Sequence, residues 1–203
     1  AIRVGEDSAE VQAALTERVH PNPDESPFVR LCPLRKDVDR INNERLKRLT
    51  STDMQHFESV DEVHRYGPNE NVFYPLHAPK SLDLKPGARV MLVANISVSR
   101  GLCNGRSGTV LGFRWCYDEA TNTNSRLPEV EFDNQVTEIM RPYTFEIRAK
   151  HDIIATRRQV PLMLAWALTI NKTQSLTIVD PVIMHVKKIF DVGQIYVGAS
   201  RDT

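Results

Sequence analysis

The stretch 161–201, PLMLAWALTINKTQSLTIVDPVIMHVKKIFDVGQIYVGASR, limits the folds open to this chain more than any other. Pro161 suits the first position of a helix, where its missing N–H costs nothing. Leu164, Ala165 and Leu168 follow at a helical apolar spacing, so the pattern predicts a helix from Pro161. The polar cluster Asn171-Lys172-Thr173-Gln174 comes at its end, a β-rich run over 177–186 reads as a buried strand, and a short helix from about Gly193 delivers Ser200-Arg201. Helix, polar loop, strand, helix, arginine is an α/β pattern. An arginine placed after a helix of a nucleotide-binding sheet can serve as a finger for a phosphate.

Length and charge narrow the function classes. A chain of 203 residues is one domain or two small ones. Its 26 Lys+Arg balance its 26 Asp+Glu, which argues against a purely electrostatic nucleic-acid binder but leaves room for local grooves. Cys32, Cys103 and Cys116 are odd in number, far apart and without a C-x-x-C pair, as expected for reduced thiols of an intracellular protein. No apolar run approaches the roughly 20 residues of a membrane span, so no membrane partner is expected. Arg3, Glu6, Asp7 and Glu10 interrupt any signal-peptide core, and the first residue is Ala1 rather than Met, as in a processed product or a fragment.

In chain order, Ser8 can cap a helix over 8–19, and Pro21, Pro23 and Pro27 mark a linker. A strand at 28–32 stops at Pro33, and a helix at 37–49 turns Val38, Ile41, Leu46 and Leu49 inward with a Glu44–Arg48 pair outside. Residues 50–78 read as a loop-rich connector with one short strand near Phe57, and the spacing of His56 and His64 does not suggest a metal site. From Lys80 the composition shifts. Pro86-Gly87 and Asn104-Gly105 are turn signals, and strands are expected at 109–117, 129–132, 136–140, 143–148 and 153–160, which together read as a small β-barrel.

Four strings then carry a resemblance. They are Asn171-Lys172-Thr173-Gln174-Ser175-Leu176-Thr177-Ile178, Gly193-Gln194-Ile195-Tyr196-Val197-Gly198-Ala199-Ser200-Arg201, Leu31-Cys32-Pro33-Leu34-Arg35-Lys36-Asp37-Val38 with Asn42, and the barrel run from Lys85 through Asn104-Gly105. Together they resemble the Pif family of superfamily-one DNA helicases over most of residues 28–201. The resemblance implies an α/β, RecA-like second motor domain from 28–79 plus 160–203, an inserted small barrel of the Src-homology-three (SH3-like) type over 80–159, and an N-terminal helix and linker over 1–27. It also implies ATP-driven 5′→3′ unwinding of DNA in genome maintenance, including DNA repair, recombination and telomere maintenance. ATP and Mg2+ would be the cofactors. The partners would be single-stranded DNA, forked duplex and an N-terminal phosphate-loop motor domain of the same polypeptide. By resemblance Arg201 is the arginine finger, Gln174 couples nucleotide to the DNA groove, and Arg35 reaches a phosphate. Asn171, Lys172, Thr173 and Thr177 would meet the backbone of single-stranded DNA.

Plainer readings stand beside these. Arg35 can be a solvated basic turn, Lys172 a helix-end lysine favourable to the dipole, and Gln174 a loop amide. Asn42 reads as a brace of its local turn, Trp166 and Tyr196 as core. Arg100, Arg106 and Arg114 can face DNA or form a solvated basic edge. The chain also departs from the family: Asn171 replaces a histidine, Ser175 a glycine, and Gly198 should loosen the last helix by roughly 1 kcal/mol relative to Ala. No G-x-x-x-x-G-K-[ST] phosphate loop is present, so this chain by itself is expected not to hydrolyse ATP. Two other readings remain: a non-enzymatic nucleic-acid-binding module, and an inactive transposon-derived remnant.

Overall fold

The chain is described from a computed structural model, which covers residues 29–64, 70–118, 122–170 and 182–184. Among the described residues there are thirteen strands, one α-helix and two short 3-10 helices. They fall into two compact units, one from residues 1–42 and 166–203, the other from residues 43–165.

The first unit is built on β1 (Val29–Cys32). All four of its residues are buried, as expected of the central strand of a parallel sheet covered on both faces. It pairs in parallel with β12 (Ala167–Thr169) on one side and β13 (Val182–Met184) on the other. Pro33 ends β1, because it has no N–H to continue the ladder. Helix α1 (Arg35–Arg48) follows, with Asp37 in its first turn and Arg45, Lys47 and Arg48 in its last, the order that suits the helix dipole. Val38 and Ile41 pack on Cys32 and Ala167, with Trp166 laid against the cluster. Val38, Ile41 and Leu46 are buried as expected, whereas Leu49 lies past the helix end and is half-buried; Trp166 packs as expected.

The second unit is antiparallel. Its largest sheet has the order β11-β5-β6-β7-β8, made of β5 (Arg89–Leu92), β6 (Ser107–Asp118), β7 (Thr123–Phe132), β8 (Thr137–Ile139) and β11 (Leu162–Leu164). Val90, Leu92, Val130, Phe132 and Leu162 form its buried side. Pro86-Gly87 makes the expected turn into β5: the Ala88 N–H reaches Lys85 O at 3.0 Å, with Gly87 at φ 87°. Asn104-Gly105 turns likewise, closed by Arg106 N–H to Cys103 O at 3.0 Å with Gly105 at φ 92°. A second sheet joins β3 (Val60–Val63), β10 (Asp152–Gln159) and β9 (Tyr143–Ala149), and β2 (Gln55–Glu58) pairs with β4 (Ser81–Leu84).

Two expectations are corrected. No helix starts at Pro161: residues 162–164 and 167–169 are β11 and β12. Leu162, Ala165, Ala167 and Leu168 are all buried, so the apolar spacing marked burial on both faces rather than a helical stripe. The connector 50–78 also holds more order than expected, because β3 pairs with β10 from Val60 to Val63. The expected N-terminal helix at 8–19 and the final helix from Gly193 lie outside the described residues.

Candidate functional site

The candidate site begins where β1 ends. In an open parallel sheet, ligands bind beyond the carboxyl ends of the strands. Cys32 is the last residue of β1, and its register partner in β12 is Thr169. Both strands thus leave the sheet at one edge. From β1 the chain runs through Pro33 and Leu34 into α1, whose first turn is closed by Asp37 N–H to Leu34 O at 3.1 Å. From β12 it runs through Ile170 into 171–177.

Arg35 opens α1 at that edge. Its side chain is 76% exposed and its Nε lies 3.8 Å from Asp39 Oδ2, one helical turn on. An exposed pair of this kind contributes under about 1 kcal/mol, so the guanidinium can leave Asp39 for a better anion. Asn171, Lys172, Thr173, Gln174, Thr177 and Arg201 lie outside the described residues.

Asn42 is a brace, though not of its own turn. Its Nδ2 donates to Ala167 O at 3.1 Å, and Ala167 N–H donates to its Oδ1 at 2.9 Å. The amide therefore pairs with β12 as a neighbouring strand would. It ties α1 to the strand that leads into 171–177.

In the second unit the basic residues considered for DNA contact are engaged within the protein. Arg100 is paired with Glu138, Arg106 Nε donates to Gly101 O at 3.2 Å, and Arg114 Nε donates to Glu129 Oε2 at 2.9 Å. Among the described residues no cluster of three His, Cys, Asp or Glu can hold a metal ion. His56 instead donates from Nδ1 to Asp83 Oδ1 at 2.6 Å, its cross-strand partner, with Glu58 at 3.4 Å from Nε2. The hydrogen bond to Asp83 holds the imidazole pKa above its ordinary value, with Glu58 adding to it.

Two features carried no readable signal. Arg157 is buried, grips both carboxylate oxygens of Asp61 at 2.6 and 2.7 Å, donates to Ala78 O at 2.9 Å and lies 4.7 Å from the Phe73 ring centre. Burial pushes the Asp61 carboxyl up, but the hydrogen bonds from Arg157 and Ser59 outweigh it and leave the pKa below the usual value. Arg126 grips Asp53 in the same two-pronged way at 2.7 and 2.9 Å, which lowers the Asp53 pKa, and its guanidinium sits 5.5 Å over Phe113.

Residues 70–113 match the family model described as DNA helicase Pif1, 2B domain. Over 205 residues the chain is 37% identical to the human ATP-dependent DNA helicase PIF1, covering 99% of this chain and 30% of that protein. The crystal structure of Pif1 helicase from Candida albicans superposes with a TM-score of 0.72 at 28% identity, over 99% of this chain and 49% of that one. That of a Bacteroides Pif1 helicase in complex with ADP-AlF3 and ssDNA gives a TM-score of 0.66 at 27% identity, over 99% and 44%. The chain thus spans under a third of its human relative and under half of each solved neighbour.

Proposed function

Because this chain belongs to the Pif1 family of DNA helicases, as a C-terminal part of such an enzyme, we propose that it is one wall of an ATP-driven motor that translocates 5′→3′ on single-stranded DNA and opens forked duplex. In this reading residues 28–79 and 160–203 form a RecA-like second motor domain, and 80–159 form an SH3-like barrel inserted in it. A phosphate-loop domain of the same polypeptide supplies the opposite wall.

The shared edge of β1 and β12 carries the proposal. It sets Thr169, the last residue of β12, beside Cys32, three residues before an exposed Arg35, at the end of a parallel sheet where phosphates are commonly received. A solvent-facing guanidinium fits the polyanionic tail of ATP, with its fixed fork and permanent charge. The described residues hold no acidic cluster for Mg2+, and we assign that ion to the phosphate-loop domain. Bound ATP supplies the phosphoryl bond whose cleavage drives the cycle.

Arg201 then acts as the finger, neutralising charge that develops on the γ-phosphate only when the two motor domains close. Gln174 links the nucleotide to the DNA groove. Lys172, Thr173 and Thr177, with Asn171, hold the sugar-phosphate chain without reading bases, as a moving motor requires. DNA repair, recombination and telomere maintenance, in nucleus or mitochondrion, are the settings proposed for the parent enzyme.

The test is Arg201→Ala in the full-length protein. ATP turnover stimulated by single-stranded DNA is expected to fall by about 10³- to 10⁵-fold, with DNA affinity kept. Turnover that survives the substitution defeats the finger assignment.

A further inference from the structure

The hairpin of β6 and β7 carries an aromatic row that the motor reading leaves unused. Side chains alternate across a strand, so Phe113, Trp115 and Tyr117 project from one face of β6. Phe113 is covered by the Arg126 guanidinium and by Phe57, whose ring centre is 6.2 Å away. The next two rings are open to solvent: Trp115 is 72% and Tyr117 51% exposed, with only the Tyr117 hydroxyl engaged, donating to Asn122 Oδ1. Large aromatic side chains left in water side by side mark a contact surface more often than a packing remainder.

This face is held firmly. Cys116, between the two aromatics, is buried on the opposite side. Arg126 bridges to Asp53 at 2.7 and 2.9 Å, and Arg158 Nη2 donates to Asp118 Oδ2 at 2.5 Å. Arg141 Nη1 donates to Tyr117 O at 3.2 Å. The first two arginines are neutralised by their aspartates. Arg141 bonds a backbone carbonyl and meets no carboxylate among the described residues, so its full positive charge stands beside Tyr117.

We propose that Trp115 and Tyr117 form a stacking platform for two successive bases of single-stranded DNA, with Arg141 on the adjoining phosphate. The proposal rests on the helicase reading above. Spacing selects a single strand. Residues two apart on a strand stand about 7 Å from each other, while bases stacked in duplex rise about 3.4 Å per step. Only a stretched strand with its bases pulled apart can present one base to each ring. Such stacking tolerates any sequence, because every base has a π-face.

The test uses the full-length protein and a fluorescein-labelled oligo-dT, followed by anisotropy beside a blunt duplex control. Trp115→Ala and Tyr117→Ala are each expected to weaken oligo-dT binding by about 5- to 100-fold, and Trp115→Phe to restore most of it. Wild-type protein that turns over ATP on single-stranded DNA, with a double variant binding oligo-dT as tightly as wild type, overturns the platform and leaves the motor reading standing. Loss of self-association in the double variant at unchanged DNA affinity also overturns it, and makes the row a protein contact. Wild-type protein that binds no oligo-dT overturns both readings.

Discussion

Arg157 ties several parts of the second unit together. It joins β10 to β3 through Asp61 and to the chain at Ala78, with the Phe73 ring against its guanidinium. Removing one partner of a buried pair leaves the other without compensation. Arg157→Ala is therefore expected to cost about 3 kcal/mol in urea unfolding. The pH dependence has a definite sign. Asp61 is held below its ordinary pKa in the folded protein, so its contribution is complete above the unfolded value, near 3.9, and is lost as pH falls through the lower folded value. The gap in melting temperature between wild type and Asp61→Asn should accordingly narrow between pH 7 and pH 3. A gap that stays constant would show that the carboxylate charge is not what Arg157 holds. Neither residue was readable in advance, because the partners are 96 positions apart and nothing local links them.

At the scale of elements, one amide hydrogen-bonds α1 to β12 beside the apolar contact of Val38 and Ile41 with Ala167. Asn42→Ala leaves the N–H and C=O of Ala167 without their partner in a buried place. The expected loss is about 3 kcal/mol, measured by chemical unfolding. Asn42→Asp should do no better, since it sets an oxygen against the carbonyl. The sequence announced α1 because Val38, Ile41 and Leu46 recur at helical spacing beside charged neighbours. It announced β6 to β10 because turn signals and polar loops punctuate the apolar runs, as Asn104-Gly105 does before β6. It misled at 161–169, where six of the nine residues are buried, three of them in a row, so apolar period holds no information about winding. It hid β3, because Val60-Asp61-Glu62-Val63 has polar residues at its centre and Val60 exposed. Of the candidate site, Arg35 was legible and lies at the parallel sheet edge. The other members belong to residues the structure does not describe, and their assignment rests on motif resemblance.

For the molecule as a whole, the absence of a phosphate loop from the sequence governs what the chain does alone. Mixed with ATP and single-stranded DNA, this 203-residue polypeptide is expected to release no phosphate above background. Robust turnover, followed by malachite green, would defeat the two-walled motor. Its zero formal charge argues that the DNA affinity proposed for it comes from a few placed groups rather than a general field. One amide, finally, sets practical limits on how the antiparallel half can be cut out for study. Gln159 Nε2 donates to the carbonyls of Phe57, Pro79 and Lys80 at 3.1 to 3.2 Å, and β10 beside it lies along β3. An expression boundary drawn just before β4 would discard two strands and strip that amide of all three partners. A piece running from Asn43 to Ala165 keeps all of them, and is the one to clone.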